Sequence, residues 1–419
     1  MSHAEASGDR MSARKTTLPN GLRILTERID HVDSASLGIW LTTGLEDEPP
    51  GLAGITHFLE HMLFKGTQSR SARQIAEAGD DIGGQINGFT HREFMYLYAR
   101  TVADQVAVAL ALLFDLFLQS VCSEEEVARE REVVLQEIDH IEDSPEDWVQ
   151  ELVLQAAWPG HPLGGPPTGT RETAQSFTRE AVLAYLRTLQ VGRRVIVTAA
   201  GRVEHDAIVE QVARLAGDLP EGTAASAHDP PRFSSHNEII KRPTGQVHLC
   251  LATPACTQTA PCRHAFGVLD VILGGGASSR LFQEVRESRG LAYSIGSFVQ
   301  SYRTAGLLNI EAGCAPRNFG AVLSLIEGEV ERLGSEGPLP VELERAKTQL
   351  RVALALAAES TSFRMQHLAG SEMYWGRVLS FEELREGIDA VTAEDVQALA
   401  REAFTPERRA LVAIGPLDA

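Results

Sequence analysis

Gly54-Ile55-Thr56-His57-Phe58-Leu59-Glu60-His61-Met62-Leu63-Phe64-Lys65-Gly66 sets two imidazoles and a carboxylate at helical spacing inside an apolar run. Residues three and four apart share a helix face, so His57 and His61 stack one turn apart with Glu60 beside them. Ile55, Leu59 and Met62 form the opposite stripe, with Phe58 and Leu63 on the flanks, which predicts a helix buried over most of its surface. Three buried polar groups need a shared use. Zinc supplies one: two neutral imidazoles bind at about 2.0–2.1 Å, a third protein group completes the set, and a water keeps the fourth position. Glu60 is then placed as general base on that water. A satisfied core histidine explains a lone His well, but explains His-x-x-Glu-His poorly.

The third ligand has to come from elsewhere. Ser123 caps an acidic helix whose core stripe is Val127, Val134, Ile138 and Ile141. Glu125, Glu132 and Asp139 project away from that stripe as a solvated face. Glu130 and Glu137 border it, two turns apart, and are the first carboxylates to consider. Spacing does not choose between them, and it leaves Asp80, Asp81, His91 and Glu93 open.

Upstream, Pro19-Asn20-Gly21 between Thr16-Thr17-Leu18 and Leu22-Arg23-Ile24-Leu25 predicts a hairpin. Strands are expected at 34–43, 94–99 and 194–201, and helices at 72–78, 102–118, 174–189 and 206–216. The Gly-rich piece at 83–90 does not follow the phosphate-loop pattern. A Pro/Gly/Ala/Ser-rich connector at 219–237 reads as a linker between domains 16–218 and 238–419.

Past the linker the chain begins again. Residues 266–280 lie over 56–70, and 392–415 over 178–201, with Leu411-Val412-Ala413-Ile414-Gly415 against Val197-Thr198-Ala199-Ala200-Gly201. In this register His57 falls opposite Gly267, Glu60 opposite Asp270 and His61 opposite Val271. The second copy therefore keeps the helix and has lost the ligands. What it offers instead is Gly274-Gly275-Gly276, where flexible backbone lets an extended ligand approach, followed by Arg286 and Tyr293. A helix stop explains the glycines equally well.

Composition bounds the rest. A chain of 419 residues with 43% hydrophobic and 23% charged residues is long enough for about two or three domains, and no apolar run approaches the ~20 residues of a membrane span. A net charge of -19 argues against nucleic acid or an anionic membrane as partner. Five sparse cysteines suit a reducing compartment. Residues 1–15 read as a disordered leader without the apolar core of a secretory signal, so a cytoplasmic, bacterial setting is expected.

Together these motifs resemble the pitrilysin and mitochondrial-processing-peptidase family, inverted-zincin metallopeptidases with the His-x-x-Glu-His pattern, over nearly the whole chain. The resemblance implies an α+β fold: two duplicated domains, each an antiparallel sheet packed with helices, pairing into a clamshell. It implies Zn2+, one per catalytic domain, with Glu137 as third ligand and Glu130 as a supporting carboxylate. Asn87 and Glu93 match positions near the edge strand where family members pair with substrate backbone, while Arg286 and Tyr293 match a pair that reaches the scissile region from the opposite half of the chamber. Gly88 where alanine is commoner, and Met95 where threonine is frequent, depart from the pattern.

The activity so implied is a zinc endopeptidase acting on unfolded peptides or processing short polypeptides. Glu60 is its base, and Tyr293 polarises the developing oxyanion. A homodimer is expected because Arg286 and Tyr293 are both present. The rivals are an active subunit of a heterodimer and a non-catalytic assembly subunit of a larger complex.

Overall fold

The Pro19-Asn20-Gly21 turn joins β1 (Arg14–Thr17) to β2 (Arg23–Arg28) as an antiparallel hairpin with Thr16 opposite Ile24. Gly21 takes the positive φ of 85° that the turn requires. Arg14 and Lys15, assigned to the leader from sequence, are already in β1. The computed structural model describes residues 13–225 and 228–417, so residues 1–12 of the expected leader, and residues 226–227 of the expected linker, lie outside the described residues.

Four more strands complete the first sheet: β3 (Ser34–Leu41), β4 (Gln85–Thr90), β5 (Met95–Val102) and β6 (Val195–Gly201). Their order is β1-β2-β6-β3-β5-β4, with β4 at the edge. The helices of the first half are α1 (Ile55–Leu63), α2 (Ala72–Asp81), α3 (Val106–Gln119), α4 (Glu124–Asp143), α5 (Pro145–Ala157), α6 (Arg171–Ser176), α7 (Arg179–Leu189) and α8 (His205–Ala216). The second sheet has β7 (His236–Lys241), β8 (Val247–Pro254), β9 (Ala292–Ser301), β10 (Gly306–Cys314) and β11 (Ala410–Gly415), in the order β7-β11-β8-β10-β9. Its helices are α9 (Arg263–Leu273), α10 (Phe319–Glu336), α11 (Pro340–Ala358), α12 (Thr361–Trp375), α13 (Phe381–Asp389) and α14 (Ala393–Glu402).

The two sheets repeat one topology. β6 runs antiparallel to β3 and parallel to β2, as β11 runs antiparallel to β8 and parallel to β7. Each sheet is thus antiparallel except for one pair. Thr178 and Thr392 cap α7 and α14 in the same way, each accepting from the amide three residues on.

Alternation sorts the strand residues into two faces. In the first sheet Leu25, Trp40, Tyr96, Ile196 and Ala200 pack against Met365, Leu368 and Ala369 of α12. The alternate residues Ile24, Ile39, Leu97 and Val197 are also buried, and α3 lies against β3 and β5. In the second sheet Cys250, Ala252, Val412 and Ile414 pack against Val149, Val153 and Leu154 of α5. A sheet apolar on both faces needs a helix on each, and each sheet takes one from the other half of the sequence. The compact units are therefore discontinuous: Met1–Val134, Pro167–Ser226 and Leu354–Leu384 form one, and Leu135–Pro166, Ala227–Ala353 and Arg385–Ala419 the other. They differ from the duplicated halves 16–218 and 238–419 by this exchange.

Candidate metal centre

Helix α1 starts where it does because of Gly54. Its φ is 87°, and a Cβ there would meet the Thr168 carbonyl oxygen at 2.5 Å. Lacking a side-chain cap, the helix takes one from Glu48, whose carboxylate accepts from the Gly54 amide at 2.7 Å and the Thr56 amide at 3.0 Å. An anion at a helix N-terminus meets unpaired N–H groups and the positive end of the dipole. Burial pushes the Glu48 carboxyl up to about 7 against the pull of those hydrogen bonds. The Thr56 hydroxyl meets the Tyr185 hydroxyl at 2.8 Å. Ile55, Phe58, Leu59, Met62 and Leu63 are fully buried, so His57, Glu60 and His61 share the remaining face.

The imidazole rings of His57 and His61 lie 4.5 Å apart between centroids. Burial, with the neighbouring His61, drives His57 down to about 3, so it is neutral at neutral pH and keeps a lone pair to donate. The Nδ1 of His61 is 2.8 Å from Glu130 Oε1, and Lys65 Nζ donates to Glu130 Oε2 at 2.7 Å. Glu130 is only 2% exposed. Burial alone would raise its carboxyl, but the hydrogen bonds from His61 and Lys65 outweigh that and hold it below the usual range.

Helix α4 is unbroken, so Glu137 stands two turns beyond Glu130 on the same face. One ligand atom from each of His57, His61 and Glu137 lies within 4.8 Å of the other two, the one such group of His, Cys, Asp and Glu side chains among the described residues. Of the candidates that spacing left open, Glu137 is the one this group contains. Two imidazoles and a carboxylate form a three-ligand zinc set, and the Glu130 contact through Nδ1 leaves His61 Nε2 for the ion. The residues fit the metal.

Glu60 points at β4. The Thr90 hydroxyl donates to Glu60 Oε2 at 2.7 Å, and a Cβ at Gly88 would lie 2.6 Å from Glu60 Cγ and Oε1. Neither contact was expected from sequence, although Gly88 and Thr90 share a face of β4 by alternation. Lys65 was also missed, four residues from His61 on the helix that carries it.

Asn87 lies in edge strand β4 with its Oδ1 accepting from the Gly88 amide at 2.9 Å. Glu93, expected near substrate, accepts from the Tyr374 hydroxyl at 2.7 Å and so ties β5's approach to α12. Asp80 and Asp81 end α2, and His91 stacks on Phe94 at 4.4 Å. In the other unit Tyr293 is 76% exposed in β9. The Arg286 guanidinium sits 4.7 Å over the Phe282 ring, on a π-helical turn spanning Phe282–Glu287. Gly274 and Gly275 both donate their amides to the Asp270 carbonyl, so this part of the triple glycine closes α9. A Cβ at Gly274 would lie 2.4 Å from the Ser297 nitrogen, whereas Gly276 faces open space.

Residues 23–171 match the family described as Insulinase (Peptidase family M16), and residues 176–350 match Peptidase M16 inactive domain. Over 414 residues the chain is 38% identical to an uncharacterized zinc protease of Streptomyces coelicolor, covering 97% of this chain and 90% of that one. The chain belongs to peptidase family M16. A second relative, the uncharacterized zinc protease YmxG of Bacillus subtilis, is 37% identical over 403 residues, 96% of this chain and 98% of its own. Among solved structures, a peptidase M16 inactive domain from Pseudomonas fluorescens superposes with a TM-score of 0.91 at 19% identity, over 98% of this chain and 99% of that one. A protease from Helicobacter pylori gives 0.89 at 19% identity, over 97% of this chain and 100% of its own. The His-Glu-His helix of this M16 chain falls in the first matched region, and the ligand-free copy in the region whose family is described as inactive.

Proposed function

We propose that this M16 chain is a zinc-dependent endopeptidase that hydrolyses peptide bonds in unfolded peptides or processes short polypeptides, inside a chamber closed by two copies. The observation that carries the reading is the grouping of His57, His61 and Glu137 beside Glu60. His57, His61 and Glu137 would hold the ion. Bound there, zinc supplies a water with its pKa lowered toward ~7 and a Lewis acid for the scissile carbonyl.

The chain's own groups do the rest. Glu130 fixes the His61 ring through Nδ1 and raises its basicity as a ligand. Glu60 takes the proton of the attacking water and delivers it to the leaving amine. Exposed Tyr293 donates to the developing oxyanion, and Arg286 accompanies it in binding the scissile region. Edge strand β4 pairs its open side with an extended peptide, Asn87 contributing its side chain, while the glycines 274–276 leave room for the chain's passage.

Among the described residues no helix is long and apolar enough to cross a membrane. All five cysteines are unbridged, four of them buried, which supports a reducing, cytoplasmic setting. Neither nucleic acid nor a membrane is a partner on this reading, given the charge of -19. The test is peptide hydrolysis with and without chelator, alongside Glu60→Gln: chelator-sensitive turnover that the variant lacks supports the reading. Wild-type turnover in zinc-loaded Glu60→Gln contradicts the assigned base. For the shared chamber, mixing a Glu60→Gln chain with an Arg286→Ala chain is expected to recover activity, and no recovery counts against it.

A further inference from the structure

A glutamate on a helix face has several rotamers, and only a narrow set of them can serve as base to one fixed water. Glu60 is held in one orientation by two residues of β4. Thr90 donates its hydroxyl to Oε2 at 2.7 Å, and Gly88, two residues earlier on the same strand face, leaves the space in which the Glu60 side chain lies.

The second unit carries the same device in altered form. Pairing across the first sheet aligns Gly88 with Leu97, Ile39 and Val197. Across the second it aligns Ser297 with Ile310, Leu251 and Leu411. Leu411 is the duplicate of Val197, so Ser297 stands in the row of Gly88, as Asp270 stands at the helix position of Glu60. Ser297 donates to Asp270 Oδ1 at 2.5 Å. Where the ligands are gone, a carboxylate one methylene shorter is met by a hydroxyl in the glycine's row. Where they are present, that row is emptied for the longer side chain, and the hydroxyl is supplied two residues along the strand.

We propose that Thr90 is the positioning residue for Glu60: its hydroxyl fixes the plane of the carboxylate for proton transfer, and its loss slows turnover without disturbing metal binding or the fold. The inference rests on the endopeptidase reading above. Both sides of the contact lie in the first compact unit, α1 and β4, which also pack on each other.

The test measures kcat and KM for peptide hydrolysis in Thr90→Val and Thr90→Ser, with zinc affinity by chelator competition and the thermal midpoint of the metal-free protein. Thr90→Val is expected to lower kcat by about 10- to 100-fold, in line with a base held out of alignment. KM and zinc affinity should stay within about twofold of wild type, and the midpoint should be unchanged. Thr90→Ser, which keeps the hydroxyl, should return kcat to within about threefold of wild type. Normal kcat in Thr90→Val overturns the inference, as does a loss that tracks zinc affinity or melting, or a serine variant that fails to rescue. Glu60→Gln run alongside separates the two levels. If wild type shows no metal-dependent hydrolysis the endopeptidase reading falls and takes this one with it. If wild type is active and Glu60→Gln is not, normal kcat in Thr90→Val sinks the Thr90 assignment alone.

Discussion

His61 Nδ1 lies 2.8 Å from Glu130 Oε1, and the same buried carboxylate accepts Lys65 Nζ at 2.7 Å. The imidazole that faces the candidate metal centre is thus oriented from behind by a charge that is itself neutralised. Replacing Glu130 by Gln keeps the shape and removes the charge. Zinc affinity is expected to fall by about 10- to 100-fold, as for other carboxylates behind a metal-bound imidazole. Competition with a fluorescent chelator reads this directly, and unchanged affinity would show that His61 needs no such support.

A second prediction concerns how α12 is secured to the first sheet. Arg364 of α12 pairs with Glu27 of β2, both nearly wholly buried. Arg364→Ala leaves a buried carboxylate without that cation and is expected to destabilise the first unit by about 3–5 kcal/mol, whereas a double replacement of both residues by apolar side chains should cost far less. Denaturant melts of the single and double variants check it. A single variant as stable as wild type would mean that the pair does not hold α12.

A third follows from Asp270. Burial pushes its carboxyl from 3.8 up to about 6 in spite of the hydrogen bond from Ser297. A folded-state value above the unfolded one means that the native protein binds this proton more tightly, so stability falls as pH rises from near 4 through 6 and stays lower above that. Asp270→Asn keeps the Ser297 bond without the titration. It should gain about 3 kcal/mol over wild type above pH 7 and converge with it near pH 4. Melts across that range showing a constant difference would contradict the assignment.

How far the sequence speaks for itself differs from element to element. The hairpin at Asn20-Gly21 and the His-x-x-Glu-His helix follow from local chemistry, and both form as expected. The expected helix at 174–189 is two, α6 and α7, because buried Phe177 ends one and Thr178 caps the next, accepting from the Ala181 amide. Thr178 was the visible signal for that break. The exchange of α5 and α12 had no signal: an amphipathic helix declares that it covers an apolar surface and not which sheet provides it. The same limit applies at the centre. Periodicity puts Glu130 and Glu137 on one face of α4, but which of them joins both histidines as a third ligand, and which backs His61 alone, depends on where α4 crosses α1. The hydroxyl of Thr90 reaches Glu60 through strand-to-helix packing, which spacing along the chain does not encode.

The most direct test of the account is zinc content and peptide turnover measured on the same preparations of wild type and Glu60→Gln. The account predicts about one zinc per chain in both, with chelator-sensitive hydrolysis in wild type and turnover lower by at least about 100-fold in the variant. A zinc-loaded Glu60→Gln that cleaves peptides at the wild-type rate, or a wild-type chain that binds no zinc, would contradict it.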